Sequence, residues 1–196
     1  MNAPDRLVEP ANYRPPARIG AGICALLVYC FWALLLISQK PGLQYDEALH
    51  VAGAVHMLRG VGEFPLTHEP HCWITVGQHS FPLMALRYTG AVKDYFCLPL
   101  FAVTGPRMSV IRLASMLLGA AGIWGLYILS RDQFGPRVAA ATAFVLAANP
   151  AYIQQTVFDN SAVGAWMAAF GLICLTLNRY LRRPDFRRRV TGPFAA

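Results

Sequence analysis

The chain has 196 residues, of which 56% are hydrophobic, and its mean hydropathy is +0.40. An apolar content this high is unusual for a soluble domain and favours a membrane protein. The net charge of +7 would suit a nucleic-acid-binding protein, but the arginines stand beside the apolar stretches and form no basic face interleaved with aromatic residues. Composition therefore argues against nucleic acid as a partner and against a large soluble core.

Four stretches of the sequence approach the roughly 20 apolar residues that a helix needs to cross a bilayer. They are residues 19–38, 110–130, 138–156 and 161–181. The predicted fold is therefore an all-α integral membrane protein with about four transmembrane helices. Residues 39–109 form a long first loop, which is predicted to contain amphipathic interfacial helices.

The basic residues predict which ends of the spans lie in the cytoplasm. Eleven of the 17 stand in short flanks of the apolar stretches, namely Arg6, Arg14, Arg18, Arg131, Arg137, Arg179, Arg182, Arg183, Arg187, Arg188 and Arg189. The positive-inside rule then places both termini in the cytoplasm, with residues 1–18 as a disordered tail and residues 182–196 as a basic tail. The loop of residues 39–109 is expected on the external, periplasmic side of a multi-pass cell (inner) membrane protein.

Within this loop, residues 46–59 are predicted to form a helix lying flat on the membrane. Its apolar stripe at helical spacing comprises Ala48, Val51, Ala52, Val55 and Leu58. Glu47 and His50 lie off that stripe. Residues 63–79 are predicted to be irregular. The apolar segment 95–104 is too short to cross a bilayer and is interrupted by Pro99, so it is predicted to be interfacial or re-entrant.

Asp46 and Glu47 stand at the start of the helix predicted over residues 46–59. Acidic residues at a helix N-terminus satisfy free N–H groups and the helix dipole, which is a sufficient structural explanation for the pair. A functional interpretation follows from their location, because a carboxylate beside lipid is costly and usually has a task. Both are therefore candidate catalytic residues, with Asp46 as a general base.

Asp159 falls in the short loop between the third and fourth predicted spans. Its ordinary interpretation is a solvated loop residue. With four spans, however, this loop returns to the side that carries Asp46, so two carboxylates from distant parts of the sequence meet at one surface. We expect Asp46 and Asp159 to open onto one cavity beside the lipid.

The five histidines all fall on the predicted external side; they are His50, His56, His68, His71 and His79. Residues 68–72 bring ligand-type side chains together, but their spacing matches no specific zinc pattern. No cofactor is predicted, and a divalent metal stays an alternative to ordinary polar loop residues. Cys72 and Cys97 share the long loop, so a disulfide between them is left open.

Lys93, Arg107 and Arg112 border the predicted interfacial segment. Snorkelling at a membrane edge is the ordinary explanation for such positions, and a phosphate clamp at headgroup depth is the functional one. Tyr88 and Tyr95 suit interface positions. The sequence contains no P-loop, G-x-G-x-x-G, H-E-x-x-H or nucleophile elbow, so no motif supports soluble nucleotide-sugar chemistry.

Several short motifs follow one another in a characteristic order. They are Tyr45-Asp46-Glu47-Ala48, Tyr88-Thr89-Gly90-Ala91-Val92-Lys93-Asp94-Tyr95, Pro99-Leu100-Phe101 with Gly105, Arg112-Leu113, and Asn149-Pro150 ahead of Asp159. Over residues 20–177 the chain resembles the N-terminal part of a GT-C glycosyltransferase. The likeness is to the bacterial protein mannosyltransferase/ArnT-like group, which uses polyprenyl-phosphate sugars.

The resemblance implies that residues 19–181 form a GT-C-like membrane glycosyltransferase module. Such a module transfers a sugar from a polyprenyl-phosphate donor to an external acceptor, usually with inversion. Asp46 occupies the position of the family's catalytic carboxylate, and Asp159 that of a second acidic residue. The residues expected to bind the substrate or the lipid phosphate are Lys93, Arg112, Tyr88 and His50. Membrane lipid and an unidentified acceptor are the other expected partners.

Enzymes of this kind have many more spans than the four predicted here. We therefore expect a fragment, a truncated product, or a split enzyme whose partner subunit supplies the missing spans. A non-catalytic membrane subunit or remnant of such an enzyme is the alternative hypothesis. A small transporter or channel is a third, but the spans carry almost no charged residues that would support it.

Overall fold

The computed structural model describes residues 19–37, 42–59, 73–77, 79–86, 89–159 and 162–181. Over these ranges the chain is mostly helical. The helices are α1 Gly20–Ile37, α2 Tyr45–Arg59, α3 Val92–Thr104, α4 Met108–Phe134, α5 Pro136–Ala147, α6 Pro150–Val157 and α7 Val163–Leu181. The strands are β1 Trp73–Val76, β2 His79–Pro82, β3 Met84–Leu86 and β4 Thr89–Gly90.

Helix α4 lies at the centre of a bundle and packs against α7, α5 and α1. The contact with α7 is close because both helices present glycines to each other. A Cβ atom added at Gly125 would lie 2.7 Å from the Cα atom of Gly171, and one at Gly122 would lie 2.8 Å from the Cβ atom of Met167. Small residues of this kind let transmembrane helices approach closely enough for dense backbone packing.

A second, smaller core joins α2, α3 and the beginning of α4. Its buried members are Val51, Ala54, Cys97, Phe101, Ile111 and Ala114. Helix α3 contains the segment predicted at residues 95–104 and begins three residues earlier, with Pro99 inside it. The helix ends at Thr104 and is followed by Gly105, whose φ of +77° lies in the left-handed region that glycine adopts without strain. Helix α4 carries residues of both cores.

The predicted orientation of α2 is wrong in detail. Of the predicted apolar stripe, Val51 is buried but Leu58 is exposed, whereas Glu47 and His50 are buried. The physical reason is that charged partners on other elements, Arg112 for Glu47 and Asp159 for His50, compensate for burying these polar groups, so the inward face of α2 is mixed rather than apolar.

The prediction of irregular structure up to residue 79 is also wrong at its C-terminal end, where β1 begins at Trp73. Strands β1 and β2 form an antiparallel pair in which Trp73 faces Pro82. A second antiparallel pair, β3 with β4, leads into α3. The chain is therefore not purely helical, although the strands are short and confined to the long loop.

Among the described residues, α1 and α4 are long and apolar enough to cross a membrane. The third predicted span is divided, because α5 ends at Ala147 and α6 begins at Pro150. The bend predicted at Asn149-Pro150 is thus present, and the Asn149 side chain caps α6 by accepting hydrogen bonds from Ala151 N and Tyr152 N. The four-span arrangement stays a prediction.

Several predicted features lie outside the described residues. These are the two tails at residues 1–18 and 182–196, the His68–Cys72 segment and Tyr88. The disulfide left open between Cys72 and Cys97 is not supported, because Cys97 is a free thiol buried between α2 and α4.

Candidate functional site

One buried ion pair joins the beginnings of α2 and α4. Arg112 donates from Nε to Glu47 Oε1 at 2.8 Å and from Nη2 to Glu47 Oε2 at 3.1 Å, a bidentate arrangement. The same guanidinium donates to the carbonyls of Ile37 and Gly42 and stacks on the Phe158 ring, with Cζ 4.5 Å from the ring centre. Arg112 and Glu47 are both 0% exposed. The pair therefore fixes the end of α1, the start of α2 and the end of α6 around the first turns of α4.

A second buried group joins α2, α3 and the turn after α6. Asp159 Oδ2 accepts from Lys93 Nζ at 2.5 Å and lies 3.0 Å from His50 Nδ1. All three side chains are at most 2% exposed. Burying a carboxylate is costly without a partner, so the lysine ammonium is what makes this location tolerable. Glu47, His50, Lys93, Arg112 and Asp159 are called the polar cluster below.

The backbone of Asp159 is unusual. Its φ is +49°, in the left-handed region that L residues other than asparagine and aspartate seldom adopt. Asp159 directly follows Phe158, which caps the C-terminus of α6. Glycine would be the least strained residue at the position of Asp159. An aspartate at this position is explained by its side chain, which the turn directs at Lys93 and His50.

Asp46 stands beside the polar cluster but is not part of it. It lies in the first turn of α2, is half-buried, and forms no ion pair or hydrogen bond within the described part of the chain. Glu47, its neighbour, is committed to Arg112 and also accepts from Gln44 N at 2.8 Å. The expected direct meeting of Asp46 with Asp159 is therefore replaced by contacts of Asp159 with His50, one helical turn further along α2.

Sequence reasoning missed one buried acid, Asp94. Its Oδ1 accepts from Ala54 N at 2.8 Å, and the side chain is 0% exposed. Burial raises the pKa of Asp94 to about 7, although N–H donors of Ala54 and Gly53 and the charges of Lys93 and His50 oppose the shift. The only sequence signal for Asp94 was that it stands next to Lys93. Adjacent helix residues point in different directions, so Asp94 can contact a different partner from that of Lys93.

The described residues contain no group of three histidine, cysteine, aspartate or glutamate side chains that could hold a metal ion. The polar cluster instead balances its charges internally, with one arginine and one lysine against two carboxylates. Three buried polar atoms of this region have no hydrogen-bond partner among the described residues: His50 Nε2, Asp159 Oδ1 and Asp94 Oδ2. The site thus keeps hydrogen-bonding capacity that protein groups of the described ranges do not use.

An apolar cavity of about 690 Å³ lies between α1 and α6. It is lined by Trp32, Leu35, Leu36, Ala148, Pro150, Ile153, Gln154 and Phe158. Phe158 links this cavity to the polar cluster, because it lines the cavity and its ring also contacts the Arg112 guanidinium. The volume is within the range of small-molecule sites.

Comparison with known proteins identifies the family of the chain. Residues 91–188, half of the chain, match the family model described as dolichyl-phosphate-mannose-protein mannosyltransferase. No curated protein and no solved structure gives a significant match. The matched range includes Lys93, Arg112 and Asp159, and it follows α2 in the chain. The chain therefore belongs to the dolichyl-phosphate-mannose-protein mannosyltransferase family, which is a family of GT-C type membrane glycosyltransferases.

Proposed function

We propose that this chain carries the reaction site of a membrane glycosyltransferase that moves a sugar from a polyprenyl-phosphate donor to an external acceptor. The observation that carries the proposal is the polar cluster. Charged side chains from α2, α3, α4 and the turn after α6 are gathered, fully buried, at one end of an otherwise apolar bundle. Burying charges beside lipid is expensive, and such groups usually serve function.

In the proposed reaction, Asp46 is the general base. It is the acid of this region that no described residue engages, so its carboxylate is available to a hydroxyl group of the acceptor. Asp46 takes the hydroxyl proton while the acceptor oxygen forms a bond to the anomeric carbon. The bond from that carbon to the lipid phosphate breaks, and its electron pair leaves with the phosphate. Attack opposite the leaving group inverts the anomeric configuration and requires no enzyme-bound intermediate.

Lys93 is the proposed ligand of the leaving phosphate. Its ammonium group has three N–H donors, of which Asp159 uses one in the structure. Positive charge held near the departing phosphate stabilises the charge that develops in the transition state. Asp159 and His50 hold the ammonium group in place, and His50 Nε2 is a further polar atom available to the substrate.

Arg112 is proposed to position the site rather than to bind phosphate. Its guanidinium donates to Glu47 and to the carbonyls of Ile37 and Gly42, so its donors are already engaged. Glu47 likewise acts through Arg112. The role of this pair is to hold the first turn of α2, and with it Asp46, against the beginning of α4.

We assign the donor's lipid tail to the apolar cavity along α6, because its lining residue Phe158 contacts Arg112 of the polar cluster. The first isoprenoid units would occupy the space beside Trp32 and Ile153, and the phosphate would lie beyond Phe158. We place the polar cluster on the external face of the membrane and both termini in the cytoplasm, in keeping with the arginine distribution. The opposite, cytoplasmic end then carries Arg131 in the last turn of α4 and Arg179 in the last turn of α7, and the two helices are joined there by a hydrogen bond from Gln133 to Asn178.

The test is sugar transfer by the protein in lipid nanodiscs from a polyprenyl-phosphate sugar, measured for the wild type and Asp46→Asn. Loss of the base should lower the transfer rate by about 10²- to 10⁴-fold with little change in donor binding. Asp132→Asn is the matched control, because Asp132 is a partly exposed acid at the opposite end of α4. Normal transfer by Asp46→Asn would remove the catalytic assignment.

A second outcome separates the alternative function. If the wild type binds the donor but transfers nothing alone, and transfer appears with a co-purifying membrane protein, the chain is a subunit of a split enzyme. If it neither binds the donor nor transfers sugar in either condition, the proposal fails.

A further inference from the structure

Helix α2 is held by three buried polar contacts on one face. Glu47 meets Arg112, His50 meets Asp159, and the Ala54 N–H group donates to Asp94. Positions 47, 50 and 54 are three and four residues apart, so they follow one another along the same side of the helix. The first two contacts belong to the polar cluster. The third, with Asp94, has no role in the reaction proposed above.

The Asp94 contact has a feature the other two lack, because it meets the helix backbone directly. Such an approach requires a residue without a side chain. A Cβ atom added at Gly53 would lie 2.8 Å from both Cγ and Oδ1 of Asp94 and 2.8 Å from Pro82 Cγ. Real Cβ atoms do not approach so closely, so Gly53 and the Asp94 carboxyl group fit each other.

We propose that Asp94 is a positioning residue that fixes the depth and rotation of α2 by seating its carboxyl group against the Gly53–Ala54 peptide. The inference rests on the proposed function, since what α2 carries to the site is Asp46 and His50. Lys93, one residue earlier on α3, points to Asp159. The two adjacent residues of α3 therefore connect that helix to two other elements. Lys93 forms an ion pair with Asp159 after α6, and Asp94 accepts a hydrogen bond from the backbone of α2.

The surroundings of Asp94 make this contact sensitive to pH. Burial raises its pKa to about 7, while the Ala54 and Gly53 N–H groups and nearby Lys93 and His50 favour the carboxylate. The other titratable groups around it are Tyr95 and Cys97 on α3, and Asp159, which Lys93 and His50 bind. The hydrogen bond from Ala54 is charge-assisted only when Asp94 is ionised, so the hold on α2 weakens as pH falls below about 7.

The first experiment is a double-mutant cycle on thermal unfolding of the full chain in detergent, using Gly53→Ala, Asp94→Ala and the combination. In the wild-type background the added methyl group displaces the Asp94 carboxyl group and should lower Tm by about 5 °C. In the Asp94→Ala background only the contact with Pro82 Cγ remains, so the same methyl group should lower Tm by clearly less than it does in the wild-type background. An equal loss of Tm in both backgrounds would overturn the contact.

The second experiment follows sugar transfer against pH for the wild type, Asp94→Asn and the control Asp132→Asn. Asparagine keeps an oxygen for the Ala54 N–H group but cannot ionise. At pH 8 we expect Asp94→Asn to lower kcat by roughly tenfold, with donor KM within about threefold, because a misplaced base slows the chemical step. The wild type and Asp132→Asn should lose kcat below about pH 7, and Asp94→Asn should not.

A pH profile of Asp94→Asn that matches the wild type would refute the positioning role. Absence of both donor binding and transfer by the wild type, alone and with a co-purifying membrane protein, would refute the proposed function instead, and the Tm cycle would still decide whether Asp94 holds α2.

Discussion

Replacing Glu47 with glutamine tests the ion pair on which the start of α2 depends. The substitution preserves the shape of the side chain but leaves the Arg112 guanidinium buried without a carboxylate. Both residues are 0% exposed, so water does not replace the lost charge. Removing one partner of a buried pair costs about 3–5 kcal/mol, far more than the pair itself contributes. For a chain of this length, that corresponds to a fall in Tm of roughly 6–20 °C.

The assay is thermal unfolding in detergent of Glu47→Gln, of the apolar double variant Glu47→Leu/Arg112→Met, and of Asp132→Asn. The double variant removes both charges, so it should recover much of the stability that Glu47→Gln loses. Asp132→Asn removes a partly exposed ion pair with Arg131 at 3.3 Å but keeps an oxygen that can accept from Asn178 Nδ2, so it should shift Tm by no more than about 4 °C. A Tm for Glu47→Gln within the range of that control would refute the claim that Arg112 depends on Glu47.

Three further predictions concern stability. Ionisation strengthens the hydrogen bond from Ala54 N–H, but burying the charge costs the folded protein more than that bond contributes, so folded Asp94 binds its proton more tightly, with a pKa of about 7 against 3.8. Its contribution to the free energy of unfolding is therefore complete below about pH 4 and is lost as pH rises towards 7. Relative to Asp94→Asn, the wild type should thus lose up to about 4 kcal/mol over that window, and an unfolding difference that is constant with pH would contradict this. Gly125→Ala should cost about 1–3 kcal/mol because its Cβ atom meets the backbone of Gly171, whereas Gly20→Ala, with open space around it, should cost nothing measurable in the same assay. Tyr29→Phe should cost about 1 kcal/mol by removing the 2.7 Å hydrogen bond to Thr156, and an unchanged unfolding midpoint would argue against that link between α1 and α6.

The sequence was informative where apolar length or special residues decide local structure. Residues 19–38 and 110–130 predict α1 and the apolar body of α4, because long apolar runs have few alternatives. The Asn149-Pro150 pair predicts the division between α5 and α6, since proline begins a helix easily and interrupts one at a cost. Asp159, Lys93 and His50 were named separately as candidate site residues, and the structure brings the three side chains into contact.

The pairing inside the site could not be read from the sequence. The apolar stripe on α2 predicted a buried face that excludes Glu47. Its long-range partner Arg112 instead allows Glu47 to be buried. Lys93 and Arg112 were both expected to face a phosphate, yet each is bound to a carboxylate from another element. Asp94 was overlooked because its partner is a backbone N–H group, and a backbone group carries no residue signature. These contacts depend on tertiary approach rather than on spacing along the chain.

Binding of polyprenyl phosphate to the protein in nanodiscs is the most direct test of whether the polar cluster serves a lipid phosphate. We predict that the wild type binds polyprenyl phosphate and not the corresponding alcohol, and that Lys93→Met weakens binding by about 10- to 100-fold. The double variant Lys93→Met/Asp159→Asn, which leaves no unpaired buried charge, should bind as weakly, whereas Arg131→Met at the opposite end should bind normally. Equal binding of phosphate and alcohol by the wild type, or full binding by the double variant, would contradict the account.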